Sequence, residues 1–137
     1  MGIILDSSTL IAAERRGDSV RGLLQSLLSA SGDQDAALSS VGLTELIHGI
    51  YRARNPEIRA RRQAFIDEVL HDLTIYPYTK ETAMLAGKIG GEQQELGFTI
   101  PFGDLLIGAT ALELGFSVLT VNLRHFRLIP GLKLVTF

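Results

Sequence analysis

Cysteine is absent from this chain of 137 residues. That excludes disulfides, thiolate metal sites and a cysteine nucleophile. Tryptophan is absent too, and aromatic residues make up only 7 %, with no run of adjacent rings that could serve as a stacking platform. No uncharged apolar run approaches the roughly 18 residues of a membrane span. The opening segment MGIILDSSTLIAA has no basic leader and is interrupted by Asp6, which argues against a signal peptide. Position 6 also lacks the Ser or Thr that N-myristoylation of Gly2 requires. These absences lead to the expectation of a cytoplasmic protein with no membrane attachment. The formal net charge is only −2, so no whole-molecule field draws in nucleic acid, and any such contact must come from a local patch.

What is present is an apolar fraction of 46 %, enough for a packed domain rather than disorder. A chain of this length buries about two-thirds of its unfolded surface in one core, and a single domain over 1–137 is expected. GIIL before Asp6 reads as a short buried strand. A short helix over LIAAERR ends near Gly17, and a second starts at Asp18 or Ser19 with Val20, Leu23, Leu24, Leu27 and Leu28 at helical spacing. SGDQD is a loop and AALSS a second strand. Further helices are expected from about Gly42 to Tyr51, over NPEIRARRQAFIDEVLHDL with Pro56 near its first position, and over TKETAMLAGKIGGEQQELG, weakened or kinked at Gly90–Gly91. TIYPY is extended. TIPFGDLLIGATALELG forms the last long helix, closed by Gly115. FSVLTVN is a strand, IPG a turn and LKLVTF a closing strand. Strands alternating with helices imply an α/β fold, a central mostly parallel sheet flanked by helices in three layers. Sites in such folds form at the carboxyl ends of strands.

That rule picks out Asp6 after the first strand, Glu45 shortly after the second and Asn122 after SVLTV. Asp104 joins them at the head of an apolar helix. Each acid has a second reading. Asp6 can cap the helix that follows, Glu45 can be a solvated helical residue, and Asp104 can favour a helix dipole. Three converging carboxylates repel one another unless a cation compensates them. With oxygen donors only, and no cysteine or histidine pair to suit zinc, the fitting ion is Mg²⁺ or Mn²⁺.

The segments ILDSSTLIAA, SSVGLTELIHGI, IPFGDLLIGATAL and VLTVNLRHFRLIPGLKL occur in this order in PIN-domain ribonucleases. The chain most resembles the VapC-type toxins of bacterial toxin–antitoxin pairs, over essentially its whole length. The resemblance implies a PIN-like fold with an acidic metal site. Asp6 matches the aspartate ending the family's first strand, Glu45 the glutamate of its TEL helix, and Asp104 the aspartate opening its last long helix, where Gly108 stands in place of an alanine. Asn122 stands where the family often has a fourth acid, which leaves one metal or two open. The implied activity is metal-dependent endonucleolytic cleavage of RNA, leaving a 5′-phosphate and a 3′-hydroxyl. The implied partners are a cognate antitoxin and a second copy of the chain.

Asp6, Glu45, Asp104 and Asn122 are therefore the expected catalytic residues, the first three as metal ligands. Ser7 belongs to the first-strand motif, as a cap or as an orienting group. Thr120 bonds the site or simply completes a strand. Arg124 and His125, with Arg127, lie just beyond Asn122, where they are placed for phosphate contact; His125 can also donate to substrate, act in catalysis or be a structural residue. YRARNPEIRARR carries five basic residues and one acid, a surface for RNA, for an acidic partner or for solvent. Two other classes compete. A PIN-like scaffold that only binds is favoured by Asn122 and opposed by three intact acids. A phosphotransfer receiver or a phosphatase also places acids at strand ends, but a receiver wants adjacent acids after the first strand and a late lysine, whereas Ser7 follows Asp6 and Lys133 sits in the closing strand.

Overall fold

The short apolar runs form five strands in one sheet: β1 (Gly2–Leu5), β2 (Asp35–Ser39), β3 (Thr74–Tyr76), β4 (Ser117–Leu119) and β5 (Leu134–Val135). The computed structural model describes residues 2–32 and 34–136. Met1, Asp33 in the expected SGDQD loop and Phe137 at the end of LKLVTF lie outside the described residues. All four strand pairings are parallel, in the order β3-β2-β1-β4-β5. The chain runs outward from β1 to β3, then returns to the other side of β1 for β4 and β5. The order therefore reverses between β1 and β4, the place where α/β sheets open a crevice at their carboxyl ends.

Both faces of this sheet are covered, so the strands read as continuous apolar runs rather than alternating ones. Ile3 and Leu5 enter one core with Leu10, Leu23, Leu46, Phe65 and Val69. Ile4 points the opposite way, into a second core with Ile107, Val118, Phe126 and Ile129. The first core is roofed by α1 (Ser7–Arg16), α2 (Val20–Ser31), α3 (Ser40–Arg52) and α4 (Pro56–Asp72), the second by α5 (Lys80–Glu95), α6 (Phe102–Leu114) and α7 (Leu123–Phe126). Ile3, Ile4 and Leu5 are fully buried, each stabilising the fold by about 1.5–3 kcal/mol. Among the described residues no helix is long and apolar enough to cross a membrane.

Three local outcomes differ from the sequence expectation. The expected weakening or kink at Gly90–Gly91 does not interrupt α5, which runs through both glycines. A Cβ on Gly90 would come within 2.8 Å of Leu105 Cδ2, so this glycine admits a close approach of α6 instead of breaking α5. FSVLTVN is strand only as far as Leu119, because its partner β1 ends at Leu5, opposite Leu119. The chain then turns into α7, a helix absent from the expectation. Gly108 has its own cause: a Cβ there would collide with Ile129 Cδ1 and come within 3.3 Å of Leu132 Cδ2. The small residue lets the segment before β5 lie directly on α6.

The arginine-rich start of α4 is largely structural. Arg59 donates from Nε to Ala53 O at 2.6 Å and from Nη2 to Tyr51 O at 3.2 Å, and Arg62 donates to Gly49 O at 2.6 Å. These carbonyls lie at the C-terminal end of α3, where helical partners run out. Arg61 pairs with buried Glu14 of α1 at 2.8 Å. The surface considered for RNA thus clamps α4 to the helix that carries Glu45.

Candidate functional site

The site assembles at the reversal between β1 and β4. Pairing of Leu5 with Leu119 brings Asp6 and Thr120 level just beyond the strand ends. The Asp6 N–H donates to Leu119 O at 2.9 Å. Asp6 occupies the N-cap position of α1, but its side chain makes no capping hydrogen bond. The carboxylate turns instead into the crevice, where Oδ2 accepts from Ser8 Oγ at 2.6 Å and from Thr120 Oγ1 at 2.8 Å. The capping reading of Asp6 is thereby set aside.

Glu45 reaches the same crevice from the second turn of α3. Its Oε1 accepts from Ser7 Oγ at 2.7 Å, and its Oε2 lies where a Cβ on Gly103 would come within 2.8 Å. Glu45 therefore sits against the first turn of α6, and glycine at 103 leaves room for it. Asp104 lies one residue further along that turn, with Oδ2 2.7 Å from His125 Nδ1. Each acid thus commits one oxygen to a protein donor. The other oxygen of each has no hydrogen-bond partner among the described residues.

These charges are felt mutually. Burial raises the Glu45 pKa above the usual 4.5, the Ser7 hydrogen bond opposes the rise, and Asp6 and Asp104 add to it, with Arg52 lowering it slightly. Burial likewise raises Asp104 above 3.8; the hydrogen bond and charge of His125 oppose this, and Asp6 adds to it. The carboxylates are close enough to repel, as expected from sequence. As they stand, however, no three His, Asp or Glu side chains among the described residues form a ready-made ligand cluster. The expectation that all three already meet around one point is corrected accordingly. Ser7, Ser8, Thr120 and His125 hold each carboxylate on its own donor.

The donor set still fits a hard cation. It is all carboxylate, each acid keeps a free oxygen, and two of the three are raised toward neutrality by burial and like charge, a strain that a divalent ion relieves. The raised Glu45 pKa also has a consequence for stability. A carboxylate whose folded pKa exceeds its unfolded value contributes stability that is complete below the unfolded value and lost as pH rises through the folded one. Metal-free wild type is therefore expected to melt higher as pH falls from neutrality toward 4.5, and Glu45→Gln should flatten that rise. Identical pH slopes in thermal melts of the two proteins would rule this out.

The remaining expected residues divide. Ser7 is buried and faces Glu45, so it orients an acid and is not open to a substrate. Thr120 is buried and bonds Asp6, which resolves its two readings in favour of the site. Asn122 is tied in through its backbone, its N–H donating to Thr120 Oγ1 at 2.9 Å; its side chain is exposed and has no partner among the described residues. Arg124, on α7, is exposed and has no ion pair among the described residues. Sequence reasoning missed Ser8, which differs from Ser7 only in the direction α1 gives it. A hydroxyl two residues after a strand-ending aspartate is the only signal the sequence offered.

Likeness to known proteins agrees with this fold. The profile described as PIN domain matches residues 3–132. Ribonuclease VapC1 of Rickettsia felis is 35 % identical over 136 residues, covering 99 % of this chain and 96 % of that protein. The tRNA(fMet)-specific endonuclease VapC of Salmonella typhimurium is 32 % identical over 97 residues, 71 % of each chain. Among solved structures, VapBC2 from Rickettsia felis bound to a promoter DNA fragment superposes with a TM-score of 0.85 at 24 % identity, covering 100 % of this chain and 99 % of that one. DNA-bound VapBC from Salmonella typhimurium gives 0.83 at 26 % identity, covering 99 % and 98 %.

Proposed function

Because the chain belongs to the PIN-domain family, beside VapC ribonucleases, we propose that it hydrolyses RNA phosphodiester bonds as the toxin of a toxin–antitoxin pair. The observation that carries this reading is the gathering of Asp6, Glu45 and Asp104 at the β1/β4 crevice, each with one oxygen held and one left free. The three acids would hold Mg²⁺ or Mn²⁺. When bound, the ion supplies charge compensation to the acids and to the scissile phosphate.

The chain's own groups do the rest. Ser7, Ser8 and Thr120 fix the carboxylates so that little reorganisation is needed when substrate arrives. Glu45, with its raised proton affinity, orients the attacking water and accepts its proton. Arg124 and Arg127, exposed on α7 and at its C-terminal end, contact flanking phosphates as point charges. The products are a 5′-phosphate and a 3′-hydroxyl. An antitoxin segment fits the groove of about 330 Å³ between α1, α3 and α4, floored by Leu10, Leu46 and Phe65 and bordered by Arg15 and Arg52. The charge of Arg52 at its border also acts on Glu45. Met84, Leu96, Phe98 and Phe102 leave α5 and the start of α6 exposed and apolar, which suits pairing with a second copy.

The test is cleavage of total bacterial RNA by the purified chain, with new ends mapped by sequencing. Cleavage should cease with a chelator, return on adding Mn²⁺ or Mg²⁺, and leave 5′-phosphate ends. Undiminished cleavage in excess chelator, or 2′,3′-cyclic phosphate ends, would remove the metal site from the reading. No cleavage with either ion would favour the binding scaffold.

A further inference from the structure

The acids of the crevice do not distinguish RNA from DNA. They, and the ion they would hold, act on a phosphodiester, which is the same in both polymers, and arginine contacts to phosphates carry no such information either. The difference lies in the ribose 2′-hydroxyl, a group that both donates and accepts. A side chain that reads it beside the scissile bond needs a place at the crevice, exposure, and a donor and an acceptor to spare. Most polar groups there are already committed. Ser7, Ser8 and Thr120 donate to carboxylates. An ionised carboxylate only accepts, and arginine only donates. His125 spends Nδ1 on Asp104, and the nitrogen left to it gives or accepts but does not do both.

Asn122 is different. Its N–H donates to Thr120 Oγ1 at 2.9 Å, and that hydroxyl donates to Asp6 Oδ2 at 2.8 Å. The residue is therefore two hydrogen bonds from a carboxylate of the site. It holds the N-cap position of α7, yet its side chain makes no capping hydrogen bond. Asn55 shows what an asparagine does when it serves a helix: at the N-cap of α4 its Oδ1 accepts from the N–H groups of Glu57 and Ile58 at 2.8 and 3.2 Å. At α7 only the main-chain carbonyl of Asn122 is used, accepting from the His125 N–H at 3.2 Å. The carboxamide stays exposed, with neither its oxygen nor its nitrogen bonded among the described residues. It offers an acceptor and two donors on one group, which is what a hydroxyl calls for. The backbone beneath it is held by Thr120 on one side and by fully buried Phe126 on the other.

We propose that Asn122 is a specificity-determining residue, its carboxamide hydrogen-bonding the 2′-hydroxyl of a ribose next to the scissile phosphate. The proposal rests on the ribonuclease reading above and adds to it a basis for choosing RNA. The contact forms at an exposed position, in competition with water, so it is worth about tenfold in rate rather than the far larger factor of an enclosed hydroxyl site.

The experiment compares wild type with Asn122→Ala on three synthetic RNAs spanning a site that wild type cuts in total RNA. One is all ribose; the others carry a single deoxyribose, on the 5′ or the 3′ side of the scissile phosphate. Loss of the 2′-hydroxyl changes the intrinsic reactivity of the phosphodiester equally for both proteins, so the penalties are compared. On one of the two deoxy probes wild type should lose about tenfold more in kcat/KM than Asn122→Ala loses, and on the all-ribose probe Asn122→Ala should be about tenfold slower than wild type. Mn²⁺ affinity by paramagnetic resonance and the melting temperature should match wild type. Equal penalties in the two proteins on both deoxy probes would overturn the proposal and, with all-ribose cleavage intact, leave the ribonuclease reading standing. Weakened Mn²⁺ binding would make Asn122 a ligand of the ion and overturn the proposal, as would a lowered melting temperature, which would make the residue structural. Failure of wild type to cut any RNA overturns the ribonuclease reading, and this one with it.

Discussion

Asp6→Asn is expected to lower the rate of RNA cleavage by about 1000-fold or more while leaving the fold intact. The substitution is isosteric, and the amide oxygen can still accept from Ser8 and Thr120, which hold Oδ2 at 2.6 and 2.8 Å. What disappears is a negative charge and one free anionic oxygen at the point where β1 and β4 part. Charge stabilisation by a bound divalent ion contributes several kcal/mol to a phosphodiester transition state, and about 4 kcal/mol corresponds to three powers of ten. Asp6 also raises the proton affinity of both Glu45 and Asp104, so removing its charge relieves repulsion in the metal-free protein. The melting temperature of Asp6→Asn without metal should therefore equal or exceed that of wild type. Cleavage within tenfold of wild type would show that Asp6 holds no essential ion; a large fall in melting temperature would make it a structural residue.

That pairing of lost activity with retained or increased stability is the signature of charges kept together for chemistry. A structural set would be satisfied within the chain, whereas here each acid is half satisfied. Ser7, Ser8, Thr120 and His125 each hold a single oxygen. Such tethers limit rotation of the carboxylates without neutralising them, which is what a site waiting for a cation and a phosphate requires.

Much of this was legible in the chain before any coordinates. Short apolar runs followed by Asp, Ser or Thr located β1, β2 and β4 and placed Asp6 at a strand end and Glu45 in the helix that follows one, because strand length and helix-start chemistry are local properties. The glycines misled. Gly90 and Gly91 resemble a helix break, yet Gly90 is there for the approach of Leu105, a contact made by the following helix and invisible to local propensity. The short α7 was missed because its existence depends on where β1 stops. The arginines of α4 looked like a surface for phosphates, whereas three of them are engaged with α1 and α3. Hydroxyl tethers were the least legible feature: Ser7 and Ser8 are neighbours with the same side chain, and only the helical turn sends one to Glu45 and the other to Asp6.

Phe126→Ala is expected to be the most damaging single change to the fold that touches no carboxylate. Phe126 is completely buried in the core on the α6 side of the sheet, with Ile4, Ile107, Val118 and Ile129. Its ring edge would come within 3.6 Å of a Cβ on Gly108, so it rests against the stretch of α6 that had to stay small. Deleting the ring should cost about 3–5 kcal/mol, a large part of the roughly 5–15 kcal/mol that holds such a domain together. The melting temperature should fall by roughly 10–20 °C, and the urea midpoint should shift in proportion. Phe102 supplies the contrast within one experiment: it is 74 % exposed, and its truncation should change stability by no more than about 0.5 kcal/mol. Phe126 also fixes the base of α7, so the cavity left behind frees the backbone on which His125 rides. Well below its melting temperature, Phe126→Ala should then cut RNA more slowly than its folded fraction accounts for. A loss of stability below about 1 kcal/mol, against the range expected for a deleted core ring, would mean that α7 is not anchored by this ring. The placement of His125 beside Asp104 would then need another cause.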